Sequence, residues 1–214
     1  MQFEALFQHI VDGKAASVAE DVKAALADNV PAATLLDSAL VPAMGEVGRL
    51  FEAGEIYVPE MLVAARAMQG ALNLLRPLLV ETGKKPVGTV AIGTVAGDLH
   101  DIGKNLCIMM LRGAGFVVHD LGVDTSPDKF IEAVEETKAP LLGMSALLTT
   151  TMPNMGKTIE AFIDADLRDE VKIMVGGAPV TQDFADDMGA DGYGKDALAC
   201  VALAKNLLGV VARS

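Results

Sequence analysis

From Val87 onward the apolar residues change rhythm, and this change constrains the fold more than any other feature of the chain. Upstream they recur every three or four positions; downstream, short continuous apolar runs alternate with helical patterns. The runs Val87–Thr94, Phe116–Leu121, Leu141–Ser145 and Lys172–Val175, and a brief one at Gly192-Tyr193, read as strands. Helices are expected over Lys104–Ala114, Pro127–Thr137 (capped by Ser126), Met155–Ala165 and Thr181–Met188. A last one runs from Ala197 to about Val211. Strands separated by helices of about ten to fifteen residues imply βαβ units and a parallel sheet. Five such units suggest a flavodoxin-like (Rossmann-like) α/β fold of strand order 2-1-3-4-5, with its switch point between strands 1 and 3.

The first part of the chain is helical throughout. Phe3, Leu6, Phe7 and Ile10 share one helical face and stop before Asp12-Gly13. Ser17 is positioned to cap a second helix carrying Val18, Val22 and Leu26. A longer helix begins at Pro31 and contains Pro42, which removes a backbone donor and should bend it. After a break at Gly54–Val58, Pro59 suits the first turn of a fourth helix. Short connections imply a small antiparallel four-helix bundle. The polar stretch Glu81–Pro86 then separates a helical domain, residues 1–84, from an α/β domain, residues 85–214.

Composition narrows the class of function. The net charge is −12 with no basic run, which argues against nucleic acid or an anionic membrane as partner. No apolar stretch approaches the length of a membrane span, and Met1-Gln2-Phe3-Glu4 lacks a basic leader, so the expected location is cytoplasmic. Cys107 and Cys200 sit in separate apolar helical patterns and read as small core residues.

In the expected topology three loops meet at the carboxyl edge of the sheet. The loop after strand 1 carries Asp98, His100, Asp101 and Gly103. The end of strand 3 carries Ser145, Leu147, Thr149 and Thr151, and the end of strand 4 carries Gly176-Gly177, which allow close backbone approach to a bulky ligand. A phosphoacceptor receiver needs an Asp where Ser145 stands. A flavodoxin needs a hydroxyl-rich phosphate loop where Asp98, His100 and Asp101 stand. The glycines at 93, 97 and 103 lack dinucleotide-fold spacing.

Asp98-x-His100-x-x-Gly103, then Ser145-x-Leu147, then Gly176-Gly177, in that order and at that spacing, resemble the cobalamin-binding signature of methionine synthase, carbon-skeleton mutases and the corrinoid methyl carriers of methyltransferase systems. The helical part resembles the cap domain of the methyl-transferring branch, so the resemblance spans nearly the whole chain. It implies that His100 is the lower axial ligand to cobalt and that Asp98 hydrogen-bonds the far ring nitrogen. Thr151 would extend that relay, and Thr149 would touch the corrin edge or the nucleotide tail. Ser145 and Gly176-Gly177 would line the slot for that tail. In the cap, Phe51, Val58 and Met61 match positions shielding the upper face.

The implied cofactor is cobalamin, alternating between methylcobalamin and cob(I)alamin. The implied partners are a substrate-specific methyltransferase (for a methylamine, methanol, betaine or aryl methyl ether) and a second methyltransferase acting on a thiol or tetrahydrofolate-type acceptor, with room for a reductive activase. On this reading the chain is a carrier subunit. Two other users of the core are a cobalamin-sensing regulator and the small subunit of a mutase. The first normally adds a DNA-binding segment, for which no basic stretch is present; the second lacks a helical cap. Taken alone, Asp101 reads as a helix N-terminal carboxylate and Gly103 as a packing glycine. Ser145 and the threonines are equally residues that end a strand and cap a helix. His9 and His119 read as surface or satisfied side chains.

Overall fold

The computed structural model describes residues 3–81 and 85–210. Two compact units are present: Met1–Lys85 together with Arg112–Gly115, and Pro86–Leu111 together with Phe116–Ser214. Residues 82–84 of the expected linker, and Val211 at the expected end of the last helix, lie outside the described residues.

In the helical unit, α1 (Glu4–Val11), α2 (Ala15–Ala27), α3 (Ala32–Leu35), α4 (Val41–Glu52) and α5 (Val58–Glu81) follow one another. Helices α1 and α2 pack together, α2 lies along α5, and α4 packs on α1 and α5. Ile10, Val18, Val22, Leu35, Leu40 and Val47 are fully buried. Ser17 lies inside α2, which starts two residues earlier at a Lys14 N-cap with no side-chain bond. A hydroxyl expected at the cap is therefore part of the first turn. Between α3 and α4, Leu36–Leu40 form a single π-turn, and Val41 N–H reaches back to Leu36 C=O. Pro42, without an N–H, follows directly. The widened turn lets the chain pass a proline with its helix unbroken.

In the second unit, β1 (Thr89–Thr94), β2 (Val117–Asp120), β3 (Leu141–Ser145), β4 (Lys172–Gly176) and β5 (Gly192–Gly194) form one five-stranded sheet. Its order is β2-β1-β3-β4-β5 and every pairing is parallel. The intervening helices are α6 (Ile102–Gly113), α7 (Pro127–Thr137), α8 (Pro153–Asp164) and α9 (Gln182–Asp187), with α10 (Ala197–Leu207) last. The apolar runs of β1, β3 and β4 are buried on both faces, as in parallel sheets, while the edge strand β2 leaves Val117 exposed. Phe130, Phe162, Leu142, Met155 and Ile173 anchor one core cluster. Ser126 caps α7 as its sequence implies, accepting from Lys129 N–H. Thr181 caps α9 from just outside it, accepting from Phe184 N–H.

Candidate functional site: an imidazole held by a buried carboxylate

Strand β1 ends at Thr94, and the chain passes through Val95–Asp101 before α6 begins. Within this loop the Asp98 side chain is wholly buried, whereas that of His100 is 49% exposed. Asp98 Oδ1 accepts the His100 backbone N–H at 3.0 Å and lies 2.8 Å from His100 Nδ1. Its Oδ2 accepts Thr151 Oγ1–H at 2.6 Å, Leu147 N–H at 2.8 Å and Leu148 N–H at 3.3 Å. One carboxylate thus joins the loops after β1 and β3.

Burial on its own would raise the Asp98 pKa. The hydrogen bonds from Thr151, the Leu147 N–H and both donors of His100 outweigh it and hold the carboxyl well below the ordinary range. Asp98 is therefore ionised near neutral pH, and an ionised carboxylate facing Nδ1 requires the ring proton there. The lone pair of a neutral His100 is then on Nε2, which has no hydrogen-bond partner among the described residues.

The other site residues fall into place unequally. Ser145 ends β3, and its C=O accepts Val95 N–H at 3.0 Å. Thr149 is exposed and makes no bond to Asp98. Asp101 precedes α6 and accepts from Asn105 Nδ2 at 3.0 Å; its carboxylate makes no hydrogen bond to the His100 ring. A Cβ on Gly177, whose φ is +136°, would stand 1.8 Å from Ala146 O, and one on Gly176 would stand 2.9 Å from Gly194 O. The close approach expected there is first of all to the protein's own backbone. Phe51 lies in α4; Val58 opens α5 and is exposed; Met61, one turn on, is buried.

Several residues that build the site escape a motif reading. Buried Thr94 donates to His100 C=O at 2.9 Å, and Asn154 Nδ2 donates to Ala96 C=O at 2.7 Å. Lys104, buried at the start of α6, donates to Asp120 at the end of β2 at 2.6 Å. The loop after β2 also borders the site, and the signal for it was topological: β2 is the other neighbour of β1. The two cysteines, distant in sequence, lie near enough for each thiol to act on the other. The neighbouring Cys200 lowers the Cys107 pKa, while Cys107 and burial raise that of Cys200.

This donor set can be tested against a metal. Among the described residues no three His, Cys, Asp or Glu side chains converge as a cage. One oriented imidazole suits a metal that arrives with its equatorial positions already filled by a macrocycle. Gly103, in the first turn of α6, leaves room as well: apart from its chain neighbours and its own helix backbone, no atom lies within 4 Å of where its Cβ would be. Around His100 in the sequence, Leu99 and Ile102 are 71% and 76% exposed, and Leu147 and Leu148 are exposed as well. Apolar side chains open to water beside a lone imidazole suit a large flat ligand.

Comparison with known proteins reaches the same class. Residues 88–202 match the model of the B12 binding domain, and residues 2–76 match a second B12 binding domain model. The chain is 43% identical over 199 residues to a dimethylamine corrinoid protein of Methanosarcina acetivorans, covering 93% of each. It is 44% identical over 196 residues to a trimethylamine corrinoid protein of Methanosarcina barkeri, covering 90% of each. Among solved structures, a chain of the methanol:cobalamin methyltransferase complex of Methanosarcina barkeri superposes with a TM-score of 0.85 at 30% identity, over 96% of this chain and 79% of that one. The chain belongs to the B12-binding family, and its cofactor is a cobalamin. No helix among the described residues is long and apolar enough to cross a membrane.

Proposed function

We propose that this protein carries a methyl group on the cobalt of a bound corrinoid, taking it from a methylamine-specific methyltransferase and yielding it to a second methyltransferase with a thiol or tetrahydrofolate-type acceptor. The observation that carries the reading is the His100–Asp98 pair: a half-exposed imidazole whose Nδ1 lies 2.8 Å from a buried carboxylate, leaving Nε2 free to bind. Likeness along nearly the full chain to dimethylamine and trimethylamine corrinoid proteins supports a methylamine as donor.

The corrinoid supplies a cobalt centre that is nucleophilic when reduced and a good methyl leaving group when methylated. The chain supplies the rest. His100 would offer Nε2 to the cobalt, and Asp98 fixes the tautomer that makes this possible. Thr151 and the Leu147 and Leu148 amides keep Asp98 charged and in place. The Asp98 carboxylate beside Nδ1 would hold the ring in the same orientation whether or not it is engaged by the metal. Exposed Leu99, Ile102, Leu147 and Leu148 give the ring system an apolar bed.

The test loads the apoprotein with cobalamin, reduces it by one electron and records the electron paramagnetic resonance spectrum. A histidine nitrogen coupling is expected, and His100→Ala removes it; a coupling that survives the substitution rejects His100 as the ligand. Methyl acceptance by the fully reduced protein is then assayed with dimethylamine and trimethylamine methyltransferases. Acceptance from neither, with acceptance from a methanol or aryl ether system, rejects the methylamine assignment.

A further inference from the structure

The loop that carries His100 is gripped from a second side, by the segment after β2. Thr94 N–H donates to Gly122 C=O at 3.0 Å, and Thr125 N–H donates to Thr94 C=O at 2.9 Å. Val95 and Thr125 form a parallel bridge beyond the ends of their strands. The ladder between β1 and β2 thus continues past the sheet and into the site.

At its far end stands Asp124. Its backbone N–H donates to the C=O of Asp98 at 3.0 Å, while its carboxylate Oδ1 accepts Gly97 N–H at 2.7 Å. One residue therefore binds both ends of the Gly97-Asp98 pair that precedes Leu99 and His100. It does so from a left-handed backbone: φ is +51° at Asp124 and +79° at Gly97. Left-handed geometry disfavours a residue with a Cβ, so glycine would suit position 124 better on backbone grounds alone. The carboxylate is what glycine would not supply.

We infer that Asp124 is a positioning residue for the metal ligand: by clamping Gly97 and Asp98 it sets the backbone from which His100 would reach the cobalt. This rests on the reading of His100 as that ligand. Asp98 fixes the ring's tautomer, whereas Asp124 fixes the backbone from which both Asp98 and His100 project. Thr94, holding the His100 carbonyl, completes the clamp at the other end of the loop.

Two variants separate positioning from folding. Asp124→Gly relieves the left-handed backbone and deletes the acceptor, so the two effects on thermal stability oppose each other and the variant should remain folded. Asp124→Asn tolerates the same backbone and keeps an oxygen for Gly97. Each is loaded with cobalamin, and the midpoint potential of the Co(II)/Co(I) couple is measured beside the wild type and His100→Ala. Histidine ligation favours the oxidised state, so weakening it raises the potential.

Losing one charge-assisted hydrogen bond in the clamp is expected to weaken ligation about tenfold in Asp124→Gly, a rise of about 59 mV for a one-electron couple. Asp124→Asn should stay within about twofold of the wild type. A wild-type potential in Asp124→Gly overturns the inference while leaving His100 as the ligand. A shift equally large in Asp124→Asn also overturns it, because the acceptor would then not be what matters. Should wild type and His100→Ala coincide, the ligand reading falls and this inference with it.

Discussion

Replacing Thr151 with valine tests how much the buried carboxylate depends on its donors. Valine keeps the branched shape of a side chain that is only 6% exposed, but removes the hydroxyl lying 2.6 Å from Asp98 Oδ2. Four donors remain on Asp98, two from His100 and the amides of Leu147 and Leu148. A hydrogen bond to a charged group contributes about 1.5–3 kcal/mol, so a loss of about 2 kcal/mol is expected. At roughly 2–4 °C per kcal/mol for a chain of this size, Tm should fall by about 4–8 °C. Differential scanning calorimetry of the apoprotein at pH 7 measures it, with Thr151→Ser as the control that keeps a hydroxyl.

The pH dependence gives a second handle on the same bond. Because the folded-state pKa of Asp98 is depressed, its contribution is complete above the unfolded-state value of about 3.9 and is lost as pH falls from there toward the folded-state value. Thr151→Val moves the folded-state value back up, so the variant should unfold at a higher pH on the acid side. The stability gap between variant and wild type should close once Asp98 is protonated in both. A Tm within 1–2 °C of wild type, with an unmoved acid transition, would refute the account of Asp98 as a carboxylate kept ionised by its donors.

Gly177→Ala should be far more damaging than a loop substitution ordinarily is, since a Cβ there would overlap the Ala146 carbonyl at 1.8 Å on a backbone that already favours glycine. We expect a loss above about 4 kcal/mol, seen as insoluble or unfolded apoprotein; a soluble variant with near-normal Tm would mean that strand β4 can shift to admit it. For the cysteines, a small alkylating reagent under mild conditions should label Cys107 before Cys200, because Cys107 is the more accessible and its pKa the lower of the two. Peptide mapping by mass spectrometry reads the order, and preferential labelling of Cys200 would contradict it.

Where punctuation was strong, the elements could be read from residues. Strand β3 and helix α7 begin and end where their residues imply, α7 because Ser126-Pro127 caps and starts it. The alternation of strands and helices also implied the sheet order. What could not be read is what joins distant positions. The amides of Leu147 and Leu148 bind Asp98, but a backbone N–H leaves no mark on residue type. The Cys107–Cys200 proximity and the Lys104–Asp120 pair depend on which elements the topology brings side by side, which local periodicity does not specify. Nothing in residue type marks Asp124 as the partner of Gly97 N–H and the Asp98 carbonyl.

The π-turn at Leu36–Leu40 has a consequence for how the helical unit tolerates change. The buried positions Ala32, Leu36, Leu40 and Met44 follow one another at intervals of four. In a regular α-helix a spacing of four overshoots a full revolution by about 40° each time, so such a stripe wanders round the axis. A turn that consumes an extra residue winds the stripe back. Deleting one residue between 36 and 40 would leave a regular α-helix with Ala32 and Met44 eleven residues apart, within about 20° of three whole turns, so the faces of α4 would keep their phase. For this helix, phase is the inherited quantity, and the π-turn preserves it across one extra residue.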